Sequence, residues 1–143
     1  MTVSIILAAK GREVVSVEPN SDLGSVVRVL AENRIGAALV LGPDRRIVGI
    51  ISERDIVRVL AERGAAVLDE PVSQTMTRKV TTCNENDAVS TIMERMTAGK
   101  FRHVPVVDQG RLIGMISIGD VVEHRLHEME RDSAAMRDYI MTA

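Results

Sequence analysis

A short stretch that decides the fold occurs twice, as GIISERDIV at residues 49–57 and as GMISIGDVV at residues 114–122. Both copies read glycine, two apolar residues, serine, two variable residues, aspartate and two further apolar residues. Each position of the second copy lies 65 residues after its counterpart. A fixed offset of this length indicates that one supersecondary unit is repeated within the chain.

The residues around each copy predict the same order of elements. In the first half, Leu23, Val26, Val27 and Leu30 have the spacing of a helix with one buried face, and Gly42-Pro43-Asp44 favours a tight reversal between two strands. The predicted elements of this half are a strand at 14–17, a helix from 23, a hairpin of 37–41 with 47–51, and a helix from 52. Those of the second half are a strand at 80–83, a helix at 87–96, a hairpin of 103–107 with 112–116, and a helix from 117.

This order defines an α/β (more narrowly α+β) fold made of two β-α-β-β-α units. A unit of about 65 residues leaves an apolar sheet face exposed and is marginal alone, so we expect the two to pack together with pseudo-twofold symmetry. The expected boundaries are 1–64 for the first unit with an N-terminal helix, 65–79 for a connector, and 80–143 for the second unit with an extended C-terminal helix. We expect residues 3–9 to play for the first unit the part that the connector plays for the second.

Composition excludes several classes of function. The 18 basic residues nearly balance the 20 acidic ones and form no block, and Phe101 and Tyr139 are the two aromatic residues, so nucleic acid is not an expected partner. The single cysteine, Cys83, suits the reducing cytosol and is expected to be a small, partly buried apolar residue. The apolar stretch 3–9 lacks a basic leader and is too short to span a membrane. We therefore expect a soluble, cytoplasmic protein.

The repeated Ser-x-x-Asp has two interpretations. It is the pattern of a capping box, in which the serine hydroxyl accepts from an early helix N–H and the acid accepts from the N–H of the serine. The same turn also favours a phosphate at the helix start, while a nearby carboxylate accepts hydrogen bonds from both hydroxyls of a ribose. Serine and aspartate at such a turn are thus typical of either a helix cap or a nucleotide site.

The sequence resembles the CBS-domain family, named for cystathionine β-synthase, and especially stand-alone proteins with two tandem CBS motifs. The resemblance covers nearly the whole chain, and its carriers are GIISERDIV at 49–57, RHVPVVDQGRLIGMISIGDVV at 102–122, NRIGAALVL at 33–41 and PVSQTMTRKV at 71–80. It implies a Bateman module, a regulatory pair of motifs whose clefts bind AMP, ADP, ATP, S-adenosylmethionine or a dinucleotide such as NAD(H). Serine replaces the commoner threonine in both motifs.

The resemblance also implies a role for particular residues. Asp55 and Asp120 would hold ribose hydroxyls, and Ser52 and Ser117 would face phosphate. Arg54 would pair with phosphate in the first cleft, where the second has Gly119 instead, and Arg102 and His103 would reach phosphate in the second. The remaining implied positions are Val15 and Val80 on the cleft walls and, around the adenine, Ile35, Gly36, Ala37, Ala38, Phe101, His103, Val104 and Pro105; the first half has no proline matching Pro105.

Three other patterns have simpler interpretations. His124 and His127 have metal-ligand spacing on a predicted helix, but the charged surroundings favour a solvated face. His103, Ser117 and Asp120 form a conceivable hydrolase triad, yet capping already explains the serine and the aspartate, so an enzyme is not expected. The C-terminal helix carries an apolar stripe that core packing or a homodimer contact would bury; its members are Val121, Val122, Leu126, Met129, Met136 and Ile140.

Two functions follow from the sequence. The first is a sensor in which an adenosine-containing ligand changes the packing of the halves or subunits and so the contacts with an effector protein. The second is a non-catalytic structural or adaptor homodimer whose clefts stay empty. The sequence selects neither the ligand, the number of occupied clefts, the effector nor the orientation of the dimer.

Overall fold

The computed structural model describes residues 1–142, and this part of the chain has five α-helices and five β-strands. In chain order these are α1 (Val3–Lys10), β1 (Ser16–Val17), α2 (Leu23–Asn33), β2 (Ala37–Leu41), β3 (Ile47–Ser52), α3 (Glu53–Arg63), α4 (Val89–Gly99), β4 (His103–Asp108), β5 (Arg111–Ser117) and α5 (Ile118–Thr142). Short 3₁₀ turns cover Pro43–Arg45, Ala65–Asp69 and Val72–Gln74. The predicted α/β fold with two repeated units is confirmed.

The two hairpins have the same construction. Strands β2 and β3 pair antiparallel, with Val40 opposite Gly49, and β4 and β5 pair antiparallel with Val106 opposite Gly114. Both ladders shift register directly after these valines. In the first half β1 adds to β2 as a parallel third strand. The repeat seen in the sequence is therefore a repeat of strand pairing as well.

The strand predicted at residues 80–83 is reduced to one bridge, which corrects the prediction. Cys83 donates its N–H to the carbonyl of Pro105 at 3.0 Å and accepts from the N–H of Val107 at 2.8 Å. To extend this parallel ladder one step towards the N-terminus, the carbonyl of Thr81 would have to accept a hydrogen bond from the N–H of residue 105. Proline has no N–H, so Pro105 ends the ladder at Cys83.

The segments that precede each unit are exchanged between the halves. Val3, Ile6 and Leu7 of α1 lie in the core of the second half, whereas Val67 and Val72 of the connector lie in the core of the first. Bridges fix both segments by the backbone, Thr2 to Ala88 and Pro71 to Asp22. Residues 3–9 and the connector thus play equivalent parts, as expected, but each completes the core of the other unit.

The repeated glycines make this exchange possible. A Cβ on Gly49 would lie 2.6 Å from the Sδ of Met76 and 2.9 Å from the carbonyl oxygen of Thr77. A Cβ on Gly114 would lie 2.8 Å from the Cδ2 of Leu7. These distances are shorter than contacts between packed carbon atoms. Glycine is therefore repeated because the connector and α1 cross the second strand of each hairpin at close range.

Other features agree with their interpretation from sequence. Cys83 is buried, at 4% exposure, and burial, with the charge of Asp87, raises the pKa of its thiol to about 11. In α5, Val121 is fully buried whereas Val122 is 48% exposed, so the core takes only part of the predicted apolar stripe. Within the described residues, no helix combines the length and the apolar character that crossing a bilayer requires.

We predict that Gly49→Ala destabilises the fold by about 1–3 kcal/mol, the usual effect of overpacking a filled core. The neighbouring Thr77 oxygen belongs to the backbone and pairs with Ile50, so it has little freedom to move. Gly119→Ala is the matched control, because the nearest atom to its added Cβ is 3.5 Å away. Urea unfolding should show Gly119→Ala at or above wild-type stability, since alanine favours helix. Wild-type stability for Gly49→Ala would contradict the proposed crossing.

Candidate functional site

Each repeated Ser-x-x-Asp forms a capping box where a strand runs directly into a helix. At the start of α3, the Asp55 N–H donates to the Ser52 hydroxyl oxygen at 3.2 Å and the Ser52 N–H donates to the Asp55 carboxylate at 3.2 Å. At the start of α5 the corresponding distances for Ser117 and Asp120 are 3.1 and 2.8 Å. The capping interpretation is therefore confirmed in both units, and a ligand role has to coexist with it.

The two aspartates differ in their remaining partners. Asp55 is the one charged residue of the described chain that is buried, at 8% exposure. Its Oδ2 also accepts from the Ser52 hydroxyl at 3.0 Å, and its Oδ1 accepts from Arg58 of the same helix at 3.1 Å. Both oxygens of Asp55 are thus held within its own unit.

Asp120 instead pairs with a residue from the other end of the chain. Nζ of Lys10, the last residue of α1, donates to Oδ2 of Asp120 and also to the carbonyl of Met115 at 2.7 Å. Burial raises the pKa of the Asp120 carboxyl, but the hydrogen bonds from Lys10 and from the Ser117 N–H outweigh that effect, so its pKa lies below the ordinary value. Asp120 is therefore a carboxylate at neutral pH.

Lys10 is a site residue that the sequence did not reveal. It lies 110 residues from Asp120 along the chain, and neither its neighbours nor its spacing resemble a motif. It reaches Asp120 only because α1 packs on the second half instead of the first. Motif reading alone gives no signal of this exchange.

His103 lies beside this ion pair, directly opposite Ser117 in the β4–β5 ladder. Burial lowers the pKa of His103, and the positive charges of Lys10 and Arg102 lower it further, while the carboxylates of Asp120 and Glu53 act in the opposite direction. The net shift is downward. His103 is therefore a neutral imidazole at the edge of the second unit.

Two cavities lie next to the capped helix starts. The first, of about 540 Å³, is lined by Val27, Leu30, Ala31, Arg34, Ile35, Gly36, Glu53, Ile56 and Val57. The second, of about 410 Å³, is lined by Arg54, Met96, Thr97, Lys100, Phe101, Arg102 and Ile118. Glu53 and Ile118 are the first helical residues after the two caps, so each cavity borders one helix start.

Arg54 corrects the sequence-based assignment. It was expected in the first cleft, but it lines the second, where it joins Lys100 and Arg102. The preceding residue, Glu53, lines the first cavity together with Gly36, and the Glu53 N–H donates to the Gly36 carbonyl at 2.9 Å. Adjacent residues at the start of α3 point to different cavities, so the arginine contributes its charge to the other unit.

The other predicted site residues divide into three groups. Ile35, Gly36, Phe101 and Arg102 line a cavity. The capping pairs and His103 lie near the cavities but outside their lining, and Val15 and Val80 are half-buried outside it as well. The third group has buried side chains in β2 and β4, so only the backbone of these residues could contact a ligand. Its members are Ala37, Ala38, Val104 and Pro105.

The two cavities differ in charge. The lining of the second contains three cations, Arg54, Lys100 and Arg102, and no acidic side chain. Within the described residues, none of the three is within 4.0 Å of a carboxylate. The lining of the first contains one cation and one anion, Arg34 and Glu53. An anionic ligand would thus meet a favourable field in the second cavity alone.

The two histidines of α5 lie beside carboxylates of the same helix. His124 lies 3.4 Å from Glu128, and the exposed His127 lies 3.8 Å from both Glu123 and Glu130. Among residues 1–142, as far as they are described, no group of three or more potential ligands is arranged to hold a metal ion. His127 lies on the charged surface of the helix, as predicted, whereas the side chain of His124 is only 12% exposed and its Nε2 lies 2.9 Å from the Sδ of Met1.

A repeated unit with a capped carboxylate beside each cavity defines a two-motif module, and comparison with known proteins identifies its family. The CBS domain family matches residues 10–62 and 72–127, so the chain belongs to the CBS-domain family. The structure of the CBS-domain containing protein ATU1752 from Agrobacterium tumefaciens is 46% identical, with a TM-score of 0.83 over 87% of this chain and 92% of that chain.

Two further relatives extend the comparison. The CBS domain protein PAE2072 from Pyrobaculum aerophilum, whose structure is a complex with AMP, is 34% identical, with a TM-score of 0.75 over 84% of this chain and 89% of that chain. The mitochondrial CBS domain-containing protein CBSX3 of Arabidopsis thaliana is 29% identical over 97% of this chain and 71% of that protein. The resemblance recognised from the motifs is therefore confirmed.

We predict that His103 makes the fold less stable as the pH falls. Its folded-state pKa is below the ordinary value of 6.5, so the unfolded chain binds a proton more readily. The stabilisation present above pH 6.5 is therefore lost as the pH falls from 6.5 through the folded-state pKa. Urea unfolding measures the difference in the free energy of unfolding between neutral and mildly acidic pH. His103→Gln should reduce it, whereas the control His127→Gln, at an exposed position, should retain it. An unchanged difference in His103→Gln would refute this role.

Proposed function

We propose that this chain is a regulatory module that binds an adenosine-containing ligand beside its capped helix starts and transmits a change in packing to a partner protein. The observation that carries the proposal is Asp120. Its side chain is 20% exposed, it lies near the cationic cavity although outside its lining, and within the described residues its Oδ1 has no hydrogen-bond partner. A family member that is 34% identical is known in complex with AMP.

The second unit supplies the main site of this proposal. Oδ1 of Asp120 accepts a hydrogen bond from one ribose hydroxyl, and Oδ2 accepts from the other when Lys10 turns away. The ammonium group of Lys10 then neutralises a phosphate in place of Asp120. The backbone of residues 101–104 contacts the adenine, Val80 forms a wall, and Ser117 continues to cap α5 with its helix start facing the phosphate.

Charge indicates a phosphorylated ligand at this site. Arg54, Lys100 and Arg102 surround the cavity without carboxylate partners, and an arginine guanidinium binds phosphate through paired hydrogen bonds. AMP, ADP or ATP is therefore favoured there over S-adenosylmethionine, whose sulfonium is positively charged. Because Arg54 belongs to α3, a phosphate in this cavity would also link the first unit to the second.

The first unit fits a structural role or a weaker site. Both oxygens of Asp55 already accept hydrogen bonds from Ser52 and Arg58, and Glu53 lines the cavity where a phosphate would lie. A ligand there would use the backbone of residues 35–38 and the wall at Val15, and would carry little negative charge. These contacts favour the alternative function, a structural unit with an empty cleft, for this motif.

The regulatory action requires that the ligand bind one packing of the halves, or of two subunits, more tightly than another. We propose a homodimer that acts on an effector protein, and no chemical step, because both serine hydroxyls serve as helix caps. Lys10 and Arg54 are the elements through which ligand binding would act, since each belongs to a segment outside the second β-α-β-β-α unit. Their movement would be transmitted to α1 and α3.

Replacing Asp120 tests the ribose contact. We predict that Asp120→Ala lowers the affinity for adenosine about tenfold or more, because a hydrogen bond to a charged group contributes about 1.5–3 kcal/mol. Adenosine is the probe because it has no phosphate that the freed Lys10 could attract. Isothermal titration calorimetry measures the affinity, and thermal unfolding with AMP, ADP, ATP, S-adenosylmethionine and NADH identifies the preferred ligand.

Asp22→Ala is the matched control, since Asp22 caps α2 by accepting from the Ser25 N–H at 2.7 Å and lines neither cavity. Both variants should lose about 0.5–2 kcal/mol of stability, as expected for a lost cap. Equal adenosine affinity in Asp120→Ala and the wild type would show that Asp120 is a helix cap alone. The absence of binding by any of the ligands would favour the adaptor function for the whole chain.

Replacing Arg54 tests the phosphate contact across the units. We predict that Arg54→Gln weakens the binding of AMP and ATP about tenfold, while adenosine binds as it does to the wild type. Arg28→Gln on the exposed face of α2 serves as the control for a lost positive charge. If Arg54→Gln weakened adenosine and AMP equally, or neither, the assignment of Arg54 to a phosphate would be wrong.

A further inference from the structure

Helix α5 extends well beyond the core of the second unit. Its start packs into that core through Ile118 and the fully buried Val121. From residue 129 to residue 141, every described side chain is exposed. An isolated helix of this length is marginal in water, so packing against something outside the unit would stabilise this part of α5.

A regular apolar stripe runs along α5 from Val122 to Ile140. Val122, Leu126, Met129, Ser133, Met136 and Ile140 are spaced alternately by four and three residues, the heptad pattern of a coiled coil. The five apolar members are between 48% and 68% exposed. At 100° per residue, the stripe lies about a quarter turn from the face of Val121 that packs on the core. The two faces of α5 are therefore distinct, and the second has no partner within the described unit.

Charges beside the stripe identify the occupant of this face. In the heptad register of this stripe, Leu126, Ser133 and Ile140 occupy a positions and Val122, Met129 and Met136 occupy d positions. Arg125 and Asp132 then fall at g positions, and Glu130 and Arg137 fall at the e positions five residues later. A parallel, in-register pair of α5 helices brings each g residue to the e residue of the next heptad on the other helix. Arg125 then meets Glu130 and Asp132 meets Arg137, so all such pairs are of opposite charge.

The polar member of the stripe supports the same arrangement. Ser133 occupies an a position, and a single polar residue there specifies the register of a coiled coil. In the parallel, in-register pair, each Ser133 lies against its own counterpart. In an antiparallel pair, a positions face d positions, so Ser133 would lie against Met129 or Met136 and its hydroxyl would be placed against an apolar side chain.

We infer that α5 pairs with α5 of a second copy of this chain as a parallel, in-register, two-stranded coiled coil. The inference rests on the homodimer of the proposed function and assigns its geometry. It is independent of the ligand, because the stripe lies outside both cavities. Helices paired in this way would place the two second units on the same side of the dimer.

The first test compares two methionines of the same helix. Met136→Glu puts a charge on the stripe, and Met141→Glu puts the same charge at a position off the stripe that is 86% exposed. For the full chain, sedimentation equilibrium should show a dimer whose dissociation constant rises about tenfold or more in Met136→Glu and less than about twofold in Met141→Glu. Circular dichroism and ligand titration check that each variant still folds and binds.

The second test determines the orientation. Met129→Cys and Met136→Cys are made separately and oxidised; a parallel, in-register pair brings each new thiol to its own counterpart, so both variants should form disulfide-linked dimers. Any antiparallel register brings at most one of these positions together. The wild type is the background control, because its Cys83 is buried.

The outcomes separate the inference from the proposed function. A monomeric wild type, or a dimer that Met136→Glu leaves intact, would overturn the α5 pairing, and in the latter case the homodimer itself would stand. A disulfide in one cysteine variant alone would overturn the parallel orientation. A charge exchange, Arg125→Glu with Glu130→Arg, should restore the dimer that either single change weakens. None of these results bears on the separate prediction that Asp120→Ala loses affinity for adenosine.

Discussion

The rest of the structure depends on the exchange of two segments between the repeated units. Each hairpin presents a glycine, Gly49 or Gly114, where a segment from elsewhere crosses its second strand. The connector fills the first core and α1 fills the second. Neither unit closes its core with residues of its own β-α-β-β-α segment alone, so burial of apolar surface, the main favourable contribution to folding, requires both units at once.

The exchange also determines the chemistry of the second cap. Because α1 packs on the second unit, its last residue, Lys10, reaches Asp120, and the start of α3 brings Arg54 to the neighbouring cavity. The second site is therefore composed of residues from three separated parts of the chain. Under the proposed function, a ligand that displaced Lys10 from Asp120 would act on α1, whose Val3, Ile6 and Leu7 lie in the core of the second unit, and binding would affect packing through this connection.

The sequence predicted the features that depend on local contacts. The hairpins, the capping boxes and the helix faces follow from spacing and turn chemistry within a few residues, and most of their bounds agree with the structure to within a few residues. The strand predicted at 80–83 was wrong, although Pro105, which ends the ladder, was visible in the sequence and has no proline counterpart in the first half. The position of Arg54 and the role of Lys10 were missed because they depend on packing between segments far apart in the chain. Motif spacing contains no such information.

The two repeated units have similar backbone structures but differ in the charged residues around their caps. The two caps have nearly the same hydrogen bonds, yet the residues at the same places around them differ: Arg58 is replaced by Glu123, Arg54 by Gly119 and Glu53 by Ile118. Asp55 pairs with Arg58 of its own helix, so its ion pair is local to the first unit. Asp120 has no such neighbour and is neutralised by α1. Two similar caps thus give one carboxylate whose counterion belongs to its own helix and one whose counterion comes from α1. Under the proposed function, a ligand that took the place of Lys10 at Asp120 would change a contact between segments far apart in the chain.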